Sequence, residues 1–163
     1  SITRLYYGIE GNLTEIRFQK WKQIFNANSA LLIEGEKTRF GIGNDLLSGI
    51  NNVKRIIGPK HEGYSKADEI INYVITLPKP DIVLVALGPA AKYITFKLHN
   101  MGYRVIDIGN LDIEYEWYLR KVDQRIIIPG KYTSEVKGGR DVNDFPDEKF
   151  RVIYNQQIIN DFS

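Results

Sequence analysis

The chain has 163 residues, with 22 Lys and Arg against 20 Asp and Glu, and no cysteine. That length suits one domain with a sizeable core, and so even a charge balance leaves no electrostatic footprint for nucleic acid. Without thiols, disulfide scaffolds, zinc–thiolate centres and cysteine nucleophiles are excluded.

A reducing cytoplasm is compatible with the absence of cysteine and is the expected location. The longest apolar run, around "DIVLVALGPAA", falls far short of the ~20 residues a membrane helix needs, so no transmembrane segment is expected. No signal-peptide pattern opens the chain, and its abrupt start at "SITRLYY" suggests a piece of something longer.

In chain order, a helix is expected over Thr14–Asn26, with Phe18, Trp21 and Phe25 turned inward. Four β-type runs follow, at Ala30–Ile33, Val53–Ile57, Ile82–Leu87 and Arg104–Ile108. Each is rich in Val, Ile or Leu with little alternation, the pattern of parallel strands covered on both faces. Between the second and third, "SKADEIINYVITLP" places Ser65 and Asp68 at capping-box spacing. It sets Ala67, Ile70, Ile71 and Val74 on one helical face.

"GPAAKYITFKLHNMG" predicts the next helix. Pro89 stands at its first position, Ala90, Ile94, Leu98 and Met101 form its apolar stripe, and Gly102 stands at its stop. Residues 129–148 are polar, with Gly and Pro, and read as an excursion before a last amphipathic stretch, "KFRVIYNQQIINDF". Strands alternating with helices define the expected fold: one α/β domain over residues 1–163. It is a three-layer, Rossmann-like arrangement of a mainly parallel sheet flanked by helices.

In such sheets ligands bind beyond the carboxyl ends of the strands, where strand order reverses. The loops leaving the predicted strands, 34–45, 58–64, 88–90 and 109–114, hold most of the unusual residues and are expected to share one rim. "GEKTRFGIGND" offers Gly41 and Gly43 for close backbone approach and Arg39 for a forked contact with phosphate or carboxylate. It fits a dinucleotide fingerprint poorly, because Leu46 stands three after Gly43 and the nearby acids, Glu34 and Glu36, precede the glycines. A plain strand-to-helix turn with Asn44 or Asp45 as cap explains the same residues.

Gly88 and Pro89 open a helix directly after a buried strand, which suits either a phosphate or an ordinary turn. In "VIDIGNLDIEYEWYLRK", Asp107 ends a strand. Asp112 and Glu114 would face one side if extended, as a Mg²⁺ or Mn²⁺ pair requires; if helical, Asp112 and Glu116 share a face instead. An acidic helix start answering the helix dipole is the competing explanation. Of the two histidines, His61 lies in a loop beyond a strand and could reach a ligand, whereas His99 reads as a surface or capping residue. Lys54-Arg55 and "KGGR" at 137–140 read as solvated.

"EGEKTRFGIGNDL", "RIIGP", "ALGPAA" and "GYRVIDIGNLDIEYEWYL" occur in an order and at a spacing that resemble the bacterial glycosyltransferases of GT-D fold, once a domain of unknown function. The resemblance runs from "ITRLYY" through Lys131. It implies a Rossmann-like, metal-dependent transferase that moves a sugar, commonly glucose, from a UDP-sugar to a glycan or glycoprotein in cell-surface glycosylation. It also implies an Asp-x-Glu metal motif, carried here to Asp112-Ile113-Glu114. The family has an upstream Arg-Phe-Gly-Asp-Gly-Glu segment, with another Asp-x-Glu, and this chain is expected to begin after it. It often has His at the position of Asn110 and usually Asn at that of Glu62.

On this reading a divalent Mn or Mg neutralises the leaving diphosphate. Glu34, Arg39, Gly41, Gly43, Asn44, Gly88, Pro89 and Asn110 bind donor or acceptor, and Glu36, Asp45 or Asp107 is the general base. The alternatives are a non-catalytic nucleotide- or sugar-binding module, and another Rossmann-type enzyme using S-adenosylmethionine or NAD.

Overall fold

In the computed structural model of the protein, residues 4–6 and 13–163 are described. The elements run α1 (Leu13–Ile24), β1 (Ala27–Gly35), β2 (Ile50–Gly58), a 3-10 turn (Gly63–Lys66), α2 (Ala67–Val74), β3 (Ile82–Ala86) and α3 (Ala90–Asn100). Then come β4 (Val105–Asp107), α4 (Leu111–Leu119), α5 (Glu148–Gln157) and β5 (Ile158–Asp161). The strands form a five-stranded sheet in the order β4-β3-β1-β2-β5, with every pairing parallel. The expected α/β, Rossmann-like arrangement is thus the observed one.

The four predicted strands are all present. β1 and β2 are longer than their apolar runs, and β4 is shorter. The fifth strand comes from the amphipathic tail, where α5 gives way at Ile158 to an extended segment pairing with β2. No helix forms between β1 and β2. The chain passes there through turns, and Asn44 Oδ1 accepts from Leu46 N within one of them instead of capping a helix.

Side-chain alternation splits the core. Leu31 and Ile33 of β1, with Val83 and Val85 of β3, face Ile70, Ile71 and Val74 of α2 and Ile94 and Leu98 of α3. Ala30, Leu32, Ile82 and Leu84 face the other way, onto Phe18, Phe25, Phe40 and Tyr115. The predicted inward faces of α2 and α3 are therefore buried, except that Met101 lies past the last turn of α3 and is exposed. The Ser65–Asp68 capping box does not form: Ser65 sits in the 3-10 turn, and Lys66 stands at the N-cap of α2 without a side-chain cap. Among the described residues, no helix is long and apolar enough to cross a membrane.

Candidate functional site

The register sets the strand ends side by side. Gly35 pairs with Gly58, Glu34 with Ala86, and Val85 with Asp107, so the loops after β1, β2, β3 and β4 leave along one edge. Because β2 and β3 flank β1 on opposite sides, strand order reverses at β1, and a crevice opens where the two directions diverge. It is a cleft of about 550 Å³. Glu36 and Thr38 come from the first loop, Lys60, Glu62 and Gly63 from the second, and Gly88, Pro89 and Lys92 from the start of α3. Asp107, Asn110 and Asp112 line the β4 side, and Tyr132 and Glu135 come from the 129–147 excursion. All four predicted loops contribute to this one cleft.

The start of α3 forms one wall. Pro89 has helical dihedrals, φ −60° and ψ −30°, and Lys92 follows in the first turn. Gly88 adopts φ +52°, which glycine accepts without strain, and no atom lies within 4 Å of where a Cβ would project. A ligand can therefore come close to the backbone here. Glu62 also has a positive φ, 53°, and stands on the wall beside Lys60.

On the β4 side, Asp107 Oδ1 accepts from Gly109 N at 3.0 Å, which fixes the turn into α4. Residues 112–114 are helical, so Asp112 and Glu114 sit some 200° apart around the axis at about 100° per residue. Asp112 receives Gly41 N at 2.9 Å, Asn44 Nδ2 at 2.8 Å and Lys131 Nζ at 2.7 Å. Glu114 Oε2 accepts from Tyr6 N at 3.0 Å. The two carboxylates do not converge, and the donors around Asp112 already take up its oxygens. A metal bridging Asp112 and Glu114 does not fit this geometry.

The helical alternative is what occurs. Glu116, which periodicity relates to Asp112 but which was not assigned a role, accepts from Lys131 Nζ at 3.0 Å and Asn44 Nδ2 at 2.7 Å. Burial alone pushes the Glu116 carboxyl up. The Lys131 charge, then hydrogen bonds from Asn44 and Lys131, then Arg120, outweigh it and hold the group below its ordinary range. Lys131, 2 % exposed, is the centre of this network, and no local sequence signal marks it.

Several other assigned residues serve the scaffold. Glu34 is fully buried. Its Oε1 accepts from Arg55 Nη1 at 2.6 Å and its Oε2 from Phe40 N at 2.8 Å. Arg55, read as solvated, is 1 % exposed and also donates to Phe40 O and Gln157 Oε1. Arg39 turns away from the cleft, donates to Gly130 O, Asn143 O and Asp144, and lies over the Phe145 ring. Gly43 abuts Phe150, and Gly41 abuts Leu47. Asp45 takes Lys22 Nζ at 2.7 Å and the Tyr115 hydroxyl at 2.6 Å, and these two, Lys22 first, hold its carboxyl below the ordinary range.

His61 lies outside the cleft, in an adjoining basin with Lys60, Lys137 and Arg140, and His99 is on the exposed side of α3. Of the assigned residues, the cleft brings together Glu36, Gly88, Pro89, Asp107, Asn110 and Asp112.

A parallel sheet with its cleft at the reversal of strand order, lined by the start of α3 and two lysines, is the architecture of a doubly wound α/β domain with its ligand crevice at the carboxyl edge. The family model for the glycosyltransferase GT-D fold matches residues 1–136, and the chain belongs to that family. It is 33 % identical over 159 residues to glycosyltransferase GlyD of Streptococcus pneumoniae serotype 4, and 35 % identical over 159 residues to a probable glycosyl transferase, Gly, of Streptococcus gordonii. Those matches cover 97 % of this chain but 19 % and 23 % of the two relatives, so the chain spans about a fifth of their length.

Two solved structures superpose closely. A glycosyltransferase (DUF1792) from Streptococcus sanguinis does so with a TM-score of 0.88 at 33 % identity, over 99 % of this chain and 59 % of that one. A domain of unknown function 1792 with a distinct glycosyltransferase fold does so with a TM-score of 0.89 at 30 % identity, over 99 % and 57 %.

Proposed function

We propose that this domain transfers a sugar, glucose, from a UDP-sugar to a glycan or glycoprotein acceptor in cell-surface glycosylation. The observation that carries the reading is the cleft at the strand-order reversal, whose lining holds Lys60, Lys92 and the start of α3 together with the carboxylates of Glu36 and Asp107. The donor diphosphate would lie against Gly88 and the first turn of α3, between Lys60 and Lys92, where free amides and ammonium groups offset its charge. Glu36 and Asp107, both on the cleft, are the candidate bases. One takes the proton of the acceptor hydroxyl as its oxygen attacks the anomeric carbon. The bond from that carbon to the diphosphate breaks, and UDP leaves with the bonding pair. Asp45, held by Lys22 and Tyr115 away from the cleft lining, does not fit that role.

The family resemblance implies a divalent metal. Because Asp112 and Glu114 do not form a joint donor set, a metal at this domain would draw on other ligands.

Titration with UDP and UDP-glucose, with and without Mn²⁺, tests the reading, together with UDP release in the presence of candidate acceptors. Replacing Lys60 and Lys92 by Ala together should weaken UDP binding about tenfold or more. Unchanged UDP affinity in that double variant would remove the diphosphate from this wall. A second reading, a non-catalytic nucleotide-binding module, is favoured by the use of Asp112 and Glu114 in internal hydrogen bonds. UDP binding without sugar transfer to any acceptor would select it.

A further inference from the structure

Next in the chain to two residues of the cleft lining, two tyrosine rings stand together. Tyr64 follows Gly63 in the 3-10 turn, and Tyr93 follows Lys92 on α3, and both predecessors line the cleft. The ring centroids are 5.0 Å apart at an interplanar angle of 45°. Tyr64 is 61 % exposed, and Tyr93 is half-buried.

Tyr93 is held in place. The Tyr93 hydroxyl donates to Asp68 Oδ1 at 2.8 Å, and Lys97 Nζ lies 5.3 Å from the Tyr93 ring centroid. Tyr64 belongs to none of the apolar clusters and Tyr93 only borders one, so the core does not require the Tyr64 ring.

We infer that Tyr64 and Tyr93 form a stacking platform for a pyranose ring of the acceptor. A pyranose presents an apolar face of C–H groups and an edge of hydroxyls. Its partner is a flat ring with polar groups around the perimeter. Tyrosine supplies both a broad apolar face and a polar tip, the Asp68 carboxylate stands at the Tyr93 hydroxyl, and Glu62 and Lys92 of the cleft lining are near in the chain to receive hydroxyls. Two rings are far too small a patch for a stable protein interface, which needs about 800 Å² on each partner. Neither ring belongs to the lining assigned to the diphosphate, yet both follow residues of it, which leaves them available to an acceptor beside the donor. The inference rests on the reading of the cleft as a nucleotide-sugar site.

The test is ¹⁹F NMR of the protein carrying 3-fluorotyrosine, with the Tyr64 resonance assigned by Y64F. The probes are cellobiose and lactose, then UDP alone, each added to separate samples. Disaccharide should shift the Tyr64 resonance. Y64A should weaken disaccharide binding about tenfold, the loss of one aromatic stacking contact, while Y64F retains it. UDP affinity should be the same in all three proteins.

Failure of both disaccharides to shift Tyr64 while UDP still binds would overturn the platform and leave the nucleotide reading standing. Failure of UDP to bind the wild-type protein would overturn the nucleotide reading itself. A Tyr64 shift with UDP alone, abolished in Y64A, would assign the rings to the donor base and overturn the acceptor platform.

Discussion

The two faces of the sheet solve burial differently. Toward α2 and α3, the inward positions of β1, β2 and β3 are Leu31, Ile33, Ile56, Val83 and Val85, and every buried member of that cluster is apolar. On the opposite face the same alternation runs through Ala30 and Leu32 and then reaches Glu34, beside Arg55 of β2. A helix covers the first face at the carboxyl edge. Over the second, beside α4 and α5, lies the turn-rich passage from 36 to 49 with the 129–147 excursion, whose backbone groups need partners. Glu34 receives Phe40 N, and Arg55 donates to Phe40 O, so the ion pair serves as a peg for a segment that has no secondary structure of its own. Hydrocarbon holds the α2 and α3 side of the edge, a charged lattice holds the other, and the cleft draws on both.

Breaking the lattice should cost most. R55M removes one member of a fully buried pair and leaves Glu34 charged and unmatched, a loss of about 3–5 kcal/mol by chemical denaturation. The double variant E34L/R55M should be less unstable than R55M alone. If the single and double variants are equally unstable, the pair is not what pegs Phe40. On the hydrocarbon side, I94A opens a cavity against α2 and β3 and should cost about 3 kcal/mol, with UDP affinity unchanged, because Ile94 faces the core alone. A matching loss of UDP affinity would show that the two faces are not separable.

The smallest effect belongs to Glu116. Its folded carboxyl titrates below its ordinary value of 4.5, so the stability it lends is present above that pH and fades as the pH falls through the folded value. E116Q should therefore be less stable than wild type by about 1 kcal/mol at neutral pH. The gap should close below pH 4.5 in thermal melts. A gap independent of pH would mean that Lys131 and Asn44 do not hold the charged form.

What the sequence disclosed follows the same division. Period and apolar content locate β1 to β4, α2 and α3, because those elements bury hydrocarbon and carry little else. The carboxyl-edge loops stood out by their charge and glycine content, and they do share a cleft. Pairings across long separations were not legible. Nothing local distinguishes Arg39, bound to Gly130 and Asn143, from an arginine aimed at a ligand, nor buried Arg55 from its neighbour Lys54. Lys131 and Glu116 carried no motif, although the helical spacing of Asp112 and Glu116 was visible and now defines one side of their network. β5 escaped because its residues continue the amphipathic pattern of α5 until Ile158 turns extended.

The 129–147 excursion also sets a timetable. Tyr132 N donates to Lys37 O, and Lys37 Nζ reaches Val142 O across a separation of 105 residues. During synthesis the strands from 27 to 107 can pair as they emerge, yet the far bank of the cleft is supplied only by polypeptide made afterwards. A nascent chain halted after α4 would thus hold a sheet and most of the cleft lining, but not the bank that Tyr132 and Glu135 supply.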